Sequence, residues 1–351
     1  MELRPLGTTD VEVTKICLGT MTWGQQNDEA EAFAQMDAAL DHGVNFLDAA
    51  EMYPVPPSAE SQGRTEAYIG NWLHARGTRD RVVLATKVTG RSRGFPYLRP
   101  DIDDGETRLD RASIEAALEA SLRRLRTDHI DLYQLHWPDR AVNLFGQRGY
   151  VHDPEDEAVA LEETLAVLAD AIQAGKVRHV GLSNDTPWGV MRCLALAETR
   201  GLPRMVSIQN AYNLVNRSFE TGLAEIALRE RIGLLAYSPL AGGTLTGKYL
   251  DGRKPAGARM TLFGERYPRY FTPPAKPAIR AYVDLARAHG FDPAQMAVAF
   301  AASRPFVTSA IIGATSLAQL ETNLAAAALT LSPEVMDGIE AIQRLYPDPC
   351  P

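Results

Sequence analysis

Four residues whose side chains can exchange protons occupy similar places in the pattern of apolar runs. Asp48, Lys87 and His136 each come directly after a short, mostly apolar run, and Tyr53 follows Asp48 by five positions. Short apolar runs predict buried strands. We therefore expect three of these side chains at strand ends. We expect Tyr53 on a loop over the same rim, since binding and catalytic groups concentrate on such loops.

An acid, a tyrosine, a lysine and a histidine at one rim suit proton donation to a carbonyl group. A free tyrosine hydroxyl, with a pKa of about 10, is a poor acid at neutral pH. A neighbouring ammonium lowers that pKa, so Lys87 is expected to activate Tyr53 while Asp48 anchors Lys87. His136 is expected to orient the carbonyl oxygen. Each of the four residues also has an ordinary explanation when it is taken alone. Asp48 could cap a strand, Tyr53 could be a loop aromatic, Lys87 could be a surface residue and His136 could be a core histidine.

Composition and charge restrict the class of protein. The 351 residues are 45% hydrophobic and 23% charged, as is typical of a chain with a sizeable core. The net charge of −8 argues against nucleic acid as a partner. No apolar run is long enough to cross a membrane. The first residues lack the apolar segment of a secretory leader.

The cysteines and histidines give no sign of a disulfide framework or a metal site. The three cysteines, at positions 17, 193 and 350, are far apart and odd in number, which favours a reducing cytoplasm. The histidines outside the candidate site show no metal-ligand spacing, and no paired-cysteine motif occurs. We therefore expect a cytoplasmic protein without a metal.

The rest of the chain repeats one unit, an apolar strand followed by an amphipathic helix. We predict eight such units, a leading β-hairpin over residues 3–13, and two additional helices at 292–302 and 332–344. Eight repeats fit a closed (β/α)8 TIM barrel, in a single domain over residues 1–351. The alternative, an open doubly wound sheet, is not supported by any Gly-x-Gly-x-x-Gly fingerprint. The strands are predicted near residues 15–18, 44–47, 82–86, 130–135, 177–182, 206–208, 232–236 and 310–312.

Three long connections follow predicted strands, at residues 91–110, 138–157 and 239–277. In a barrel all of them lie on the C-terminal face, where active sites are built. Their aromatic residues suit an apolar substrate pocket. We expect most of their arginines to be solvated, with a carbonyl substrate that bears a carboxylate as the alternative. The expected pocket aromatics are Trp23, Tyr53, Trp137, Phe95, Tyr97, Phe145, Tyr150, Phe263, Tyr267 and Tyr270, and the arginines are Arg91, Arg93, Arg140, Arg148, Arg266 and Arg269.

Several segments resemble the patterns of the aldo-keto reductase superfamily, and the resemblance covers essentially the whole chain. Residues 51–57 and 136–138 are most similar to the Tas-type branch, which is related to the potassium-channel β-subunit group. Such proteins are (β/α)8 barrels that bind NADP(H) across the C-terminal mouth, with a tetrad matching the four residues above. The similar segments are Gly19-Thr20-Met21-Thr22-Trp23-Gly24, Asp48-Ala49-Ala50-Glu51-Met52-Tyr53, Gly181-Leu182-Ser183-Asn184, Tyr237-Ser238-Pro239-Leu240, and Gly313-Ala314-Thr315 with Gln319 and Asn323.

The resemblance also implies contacts to NADPH or NADP⁺. Ser183, Asn184 and Gln209 are expected to hold the nicotinamide carboxamide, and Tyr237 to stack on the ring. Ser183 and Asn184 could equally cap a helix. The resemblance also places Thr20 and Trp23 near the nicotinamide and Lys248 at the pyrophosphate. The 2′-phosphate is expected to contact Arg259, Thr315 and Gln319. Further cofactor contacts, with no part of the cofactor specified, are Asp48, Ser238, Pro239, Leu240, Gly313 and Asn323.

Two of these segments have other interpretations. Residues 242–248 spell most of a phosphate-binding P-loop, but Tyr249 stands where that motif needs Ser or Thr for magnesium, so nucleotide hydrolysis is not expected. Gln319 fits a capping box with Ser316, and Asn323 could be an ordinary helix-surface residue. A helix N-terminus is nevertheless a good anion site.

The leading hypothesis is an NADPH-dependent reductase that takes small aldehydes or ketones, with Tyr53 as proton donor. We expect broad activity on aromatic and medium-chain aldehydes, weaker activity on charged sugars, and a monomer or weak homo-oligomer. One alternative is a binding module that senses the nicotinamide redox state and regulates a partner. Another is a barrel isomerase or lyase that uses the same acid groups without nicotinamide.

Overall fold

A computed structural model describes all 351 residues and contains ten strands and eleven α-helices. The strands are β1 (Leu3–Pro5), β2 (Glu12–Thr14), β3 (Ile16–Gly19), β4 (Phe46–Asp48), β5 (Val83–Val88), β6 (Ile130–Leu135), β7 (Val177–Ser183), β8 (Met205–Ala211), β9 (Gly233–Tyr237) and β10 (Val307–Ile312). The helices are α1 (Glu29–Asp41), α2 (Arg64–Arg76), α3 (Arg111–Leu125), α4 (Leu161–Gln173), α5 (Pro187–Arg200), α6 (Leu223–Arg229), α7 (Arg259–Phe263), α8 (Ala275–Ala288), α9 (Pro293–Ser303), α10 (Leu317–Ala325) and α11 (Pro333–Leu345).

Strands β3 to β10 form a closed parallel barrel, with β10 hydrogen-bonded to both β9 and β3. This confirms the predicted (β/α)8 barrel. Strands β1 and β2 form a separate antiparallel hairpin. Leu6 and Val13 of the hairpin region pack with Cys17 and Phe46 of the barrel strands. The hairpin therefore closes the N-terminal end of the barrel and leaves the C-terminal end open for a site.

The barrel interior is layered because strand side chains alternate between its two faces. Inward-facing residues of β4, β5 and β6 form an apolar layer near the closed end. Two positions further along each of these strands, the next inward-facing residue is polar and buried. The period of two therefore delivers polar groups to the same level of the barrel. The apolar layer includes Phe46, Ala85 and Leu132, and the polar layer above it includes Asp48, Lys87 and Gln134.

Two long helices lie outside those that cover the barrel strands, but only one of them, α11, is a predicted additional helix. Helix α9 packs against β10 and is buried along almost its whole length, so it belongs to the layer that covers the barrel. Helix α8 packs instead on α11. The prediction that 292–302 is an extra helix is therefore wrong, and α8 and α11 are the outer pair. Helical periodicity shows that a helix exists, but it does not show whether that helix packs against the barrel or outside it.

The cysteines are all buried and free of disulfides. Burial strongly raises the pKa of the Cys17 thiol, so this residue behaves as an apolar side chain of the interior. None of the helices combines the length and the apolar character that a membrane-spanning helix requires.

Candidate active site

A cavity of about 1320 Å³ opens at the C-terminal mouth of the barrel. Sites for drug-sized ligands usually measure about 300–1,000 Å³, so this one has room for a dinucleotide and a second small molecule. Its walls come from the ends of the barrel strands and from the three long connections. The prediction that those connections surround the mouth is confirmed.

The four proton-exchanging residues come together at the floor of this cavity. The Nζ atom of Lys87 lies 2.6 Å from Oδ2 of Asp48 and 2.7 Å from the carbonyl oxygen of Ala49. It also lies 5.0 Å from the centre of the Tyr53 ring. The rings of Tyr53 and His136 meet edge to face, with centroids 5.8 Å apart. Asp48, Tyr53 and His136 line the cavity, and the completely buried Lys87 lies directly behind them.

Asp48 has two further partners inside the barrel. Its Oδ1 atom accepts hydrogen bonds from Nε2 of Gln209 at 2.9 Å and from Nε2 of Gln134 at 3.2 Å. Gln134 is not among the residues predicted from the sequence. Its place two residues after inward-facing Leu132 was a usable signal, and β6 pairs it with Lys87 in register. A carboxylate held by donors on three strands of the barrel has a fixed orientation.

Burial and charge set the protonation states of the lysine and the tyrosine. Burial alone would lower the pKa of Lys87, but Asp48 and then Tyr53 favour the charged form, and the pKa is raised. Burial raises the pKa of Tyr53, with the positive charge of Lys87 opposing that rise. The expectation of a lowered tyrosine pKa is therefore wrong, because desolvation of the phenolate outweighs the ammonium. Tyr53 is a protonated phenol beside a permanent cation.

His136 is a neutral imidazole with an open hydrogen-bonding position. Burial, and then the charge of Lys87, hold the pKa of His136 well below its ordinary value. Its Nδ1 atom is buried without a hydrogen-bond partner. The backbone is held by Asn184, whose Nδ2 donates to the carbonyl oxygen of His136 at 2.9 Å. Because Nδ1 is buried, the other ring nitrogen, Nε2, is the one that a ligand oxygen in the cavity can reach.

The residues expected around the nicotinamide form one connected wall. The Ser183 hydroxyl donates to the carbonyl oxygen of Gln209 at 2.8 Å, and the Tyr237 hydroxyl donates to Oδ1 of Asn184 at 2.7 Å. Asn184 and Ser238 have positive φ values of 52° and 56°. Such backbone strain in non-glycine residues often accompanies function. The cavity lining also includes Thr20, Pro239, Leu240, Gly313 and Asn323.

A second part of the cavity carries unpaired positive charge. Lys248 and Arg259 line it, and neither has an acidic partner within 4.0 Å. Burial, and then the charge of Arg259, lower the pKa of Lys248. Beside them Gln319 accepts from both the backbone N–H and the hydroxyl of Thr315, at the start of α10. Two cations without acidic partners and a helix N-terminus that line one cavity can bind anions.

Some predicted site residues lie elsewhere. Trp23 is fully buried, its indole N–H donates to Oε1 of Gln35 at 3.1 Å, and it does not line the cavity, so its predicted place near the nicotinamide is wrong. The expected aromatic wall is only partly present. Tyr53, Phe95, Trp137, Phe145 and Tyr267 line the cavity, whereas Tyr97, Tyr150, Phe263 and Tyr270 do not.

A buried ion pair behind the tyrosine loop was also missed. Oε2 of Glu51 accepts from Nη1 of Arg99 at 2.7 Å, and Oε1 accepts from the backbone N–H of Thr89 at 2.6 Å. These bonds join the loop that carries Tyr53 to the end of β5 and to the connection that follows it. The ion pair and the backbone hydrogen bond therefore fix the loop, and with it the position of the Tyr53 phenol.

A TIM barrel whose mouth holds a polar tetrad and an anion-binding wall has the layout of the barrel enzymes, which act at that face. Residues 15–344 match the Aldo/keto reductase family, and the chain belongs to that family of oxidoreductases. It is 51% identical to "Protein tas" of Escherichia coli (strain K12) over 352 residues, 100% of both chains.

Other relatives are more distant. The chain is 34% identical to "Uncharacterized oxidoreductase YrpG" of Bacillus subtilis (strain 168), with 99% of this chain and 97% of the relative covered. It is 32% identical to "Probable voltage-gated potassium channel subunit beta" of Oryza sativa subsp. japonica, with 99% and 98% covered. These similarities confirm the resemblance to the Tas-type branch.

Proposed function

We propose that this protein reduces aldehydes or ketones to alcohols with NADPH, and that Tyr53 donates the proton. The observation that carries the proposal is the buried pair of Lys87 and Asp48 beneath the Tyr53 ring. A buried lysine held as an ammonium beside a phenol stabilises that phenol when it loses a proton. Membership of the family supports carbonyl reduction as the reaction type.

The four residues divide the proton chemistry among them. NADPH, when bound, supplies the hydride that reduces the carbonyl carbon. The Tyr53 hydroxyl donates its proton to the carbonyl oxygen as negative charge develops there, and the Lys87 ammonium stabilises the phenolate that forms. Asp48 keeps Lys87 charged and in place. His136, neutral and with Nε2 available at the cavity, orients the carbonyl oxygen.

The cofactor would be held along the cavity by residues already described. Ser183, Asn184 and Gln209 offer side-chain polar atoms for the carboxamide. Lys248 offers an unpaired cation for the pyrophosphate, and Arg259 offers one for the 2′-phosphate that only NADPH carries. Because a phosphate bound by charge-assisted hydrogen bonds gains about 1.5–3 kcal/mol per bond, NADPH should bind more tightly than NADH. Thr315 and Gln319 would add neutral donors at the start of α10.

The proposal is tested with the Tyr53→Phe variant, which removes the proton donor and leaves the aromatic ring. We expect kcat for aldehyde reduction to fall by about 10²- to 10⁴-fold, the usual contribution of general acid catalysis. The dissociation constant of NADPH, from fluorescence titration, should stay unchanged and below that of NADH. Tyr150→Phe, at an exposed tyrosine outside the cavity, is the matched control.

Three results would contradict the proposal. Near wild-type reduction by Tyr53→Phe would mean that another group donates the proton. Tight NADPH binding without turnover of any carbonyl would favour the redox-sensing module. Failure to bind NADPH would favour a reaction without nicotinamide.

A further inference from the structure

The mouth of the barrel is positively charged although the chain carries a net charge of −8. Five cationic side chains line the cavity, against two side-chain carboxylates and the terminal residue Pro351. Both side-chain carboxylates already have partners: Asp48 binds Lys87, and Asp292 accepts from backbone N–H groups at the start of α9. One of the five cations, Arg91, pairs with Glu106 and Asp156 outside the cavity. The cations without an acidic partner within 4.0 Å are Lys248, Arg259, Arg266 and Arg269.

These four cations form two groups at different parts of the mouth, although one long connection carries them all. Arg259 contacts Sδ of Met21, in the loop after β3, and its charge acts on Lys248. This group is the one assigned to the cofactor phosphates. Arg269 lies against Gly146, in the connection after β6, and the charge of Arg266 acts on Tyr97, in the connection after β5. The second group therefore lies beside the loops that surround His136.

Arg269 is held in place without being neutralised. Its guanidinium lies 5.2 Å from the centre of the Tyr270 ring, and a Cβ added to Gly146 would lie 3.4 Å from its Cδ. The side chain is partly buried in the cavity wall. An oxygen of the terminal residue Pro351 lies 2.9 Å from the same added Cβ, so the end of the chain is beside Arg269, but no ion pair within 4.0 Å joins them. A partly buried cation without an ion-pair partner is stabilised by a ligand that provides one. A guanidinium fixed in this way is preorganised for two parallel bonds to a planar or tetrahedral anion.

The surroundings of the two arginines suit an organic anion. Phe95, Trp137 and Phe145 form an aromatic cluster on the cavity wall, with ring centroids 6.0 Å and 5.9 Å apart in successive pairs. Tyr267 stands between the two arginines in the chain and also lines the cavity. A ligand there would place its body on aromatic rings and its charged end on a guanidinium.

We propose that Arg266 and Arg269 form an anion-binding subsite of the substrate pocket, so that the preferred substrates are aldehydes or ketones bearing a carboxylate or phosphate group. This inference rests on the proposed function, because it concerns the substrate of the same reaction. It revises the expectation that these arginines are solvated and that neutral aromatic aldehydes are preferred. Arg269 supplies the fixed contact, and the more exposed Arg266 adds attraction at the entrance.

The test compares pairs of substrates that differ only in charge. The carboxylate pair is 4-carboxybenzaldehyde and its methyl ester, and the phosphate pair is glyceraldehyde 3-phosphate and glyceraldehyde. The wild-type protein should have the higher kcat/KM for the charged member. In Arg269→Gln, kcat/KM for that member should fall about 10- to 100-fold through KM. Values for the neutral member and the dissociation constant of NADPH should not change.

Arg93→Gln is the matched control, because Arg93 is an exposed arginine of the connection after β5 and does not line the cavity. It should leave every value unchanged. A fall in kcat/KM for the charged member of either pair in Arg269→Gln supports the subsite. The pair that shows the fall identifies the anion as a carboxylate or a phosphate. Equal kcat/KM for charged and neutral members, or equal losses in both, would overturn the subsite and leave carbonyl reduction standing.

Absence of NADPH-linked turnover for all four compounds would instead overturn the proposed function. The subsite is then decided by calorimetry with 4-(hydroxymethyl)benzoate and its methyl ester. Binding of the acid that exceeds that of the ester and depends on Arg269 supports an anion site. Equal binding, or none, overturns it.

Discussion

The two ends of strand β6 each hold a buried polar residue, and the two differ in how completely their hydrogen bonds are satisfied. At the closed end, Asp131 accepts from Arg79 and Arg178, each at 2.8 Å, and from the backbone N–H of Leu84 at 2.9 Å. Just beyond the open end, His136 keeps Nδ1 without a partner. Most buried polar groups in proteins are paired. The contrast therefore separates a residue that holds the barrel together from one whose ring keeps an unused hydrogen-bonding position.

Lys87 is relevant to both ends of the contrast, since its ammonium donates to Asp48 and to Ala49 and also lies 5.0 Å from the ring of Tyr53, the proposed proton donor. In Lys87→Met we expect kcat to fall by about 10²- to 10⁴-fold and the free energy of unfolding to fall by about 3–5 kcal/mol. The second effect arises because Asp48 would remain buried without its cation. Kinetics normalised to folded protein and urea unfolding measure the two separately. Unchanged stability would mean that Asp48 does not depend on the lysine for its charge.

Asp131→Asn sharpens the contrast at the closed end. The free energy of unfolding should fall by about 3 kcal/mol, because two arginines lose their shared carboxylate. The kcat of the folded protein should not change. Asp128→Asn, at an exposed aspartate nearby, is the control and should stay within about 0.5 kcal/mol of the wild type. A loss of kcat in Asp131→Asn would show that the closed end also influences the reaction.

His136→Gln is the corresponding change at the open end. We expect kcat to fall about 10²-fold, as when one orienting hydrogen-bond donor is removed. Because the pKa of His136 is well below its unfolded value of about 6.5, the unfolded chain binds the extra proton first as the pH falls. Wild-type stability should therefore decrease from pH 6.5 downward, at most tenfold in the unfolding equilibrium per pH unit.

The variant lacks this proton linkage, so its stability should depend less on pH over the same range. Chemical unfolding of both proteins between pH 5 and 8 measures the difference. Identical slopes would mean that His136 is solvated in the folded protein.

Local sequence patterns predicted most of the fold because each barrel unit is specified within a few tens of residues. Apolar runs marked all eight barrel strands. Helices α1 and α3 begin after Asp28 and Asp110, whose side chains accept from backbone N–H groups. The same patterns placed Asp48, Lys87 and His136 at strand ends. Local signals could not show that α9 rather than α8 covers the barrel, because both are amphipathic or apolar helices.

The sequence by itself determined the barrel, the four acid–base residues and the family, since periodicity and motif order are properties of the chain. Only the tertiary structure decided the properties that depend on distance and burial, namely which residues line the cavity, which charges are paired and in which direction each pKa shifts. Trp23 lies outside the cavity and donates a hydrogen bond to Gln35. Burial raises the pKa of Tyr53 more than the charge of Lys87 lowers it. Arg269 lies in the cavity wall, whereas Arg140 pairs with Asp185. The physical reason is that a charge has a role only relative to its neighbours, and those neighbours come from distant parts of the chain.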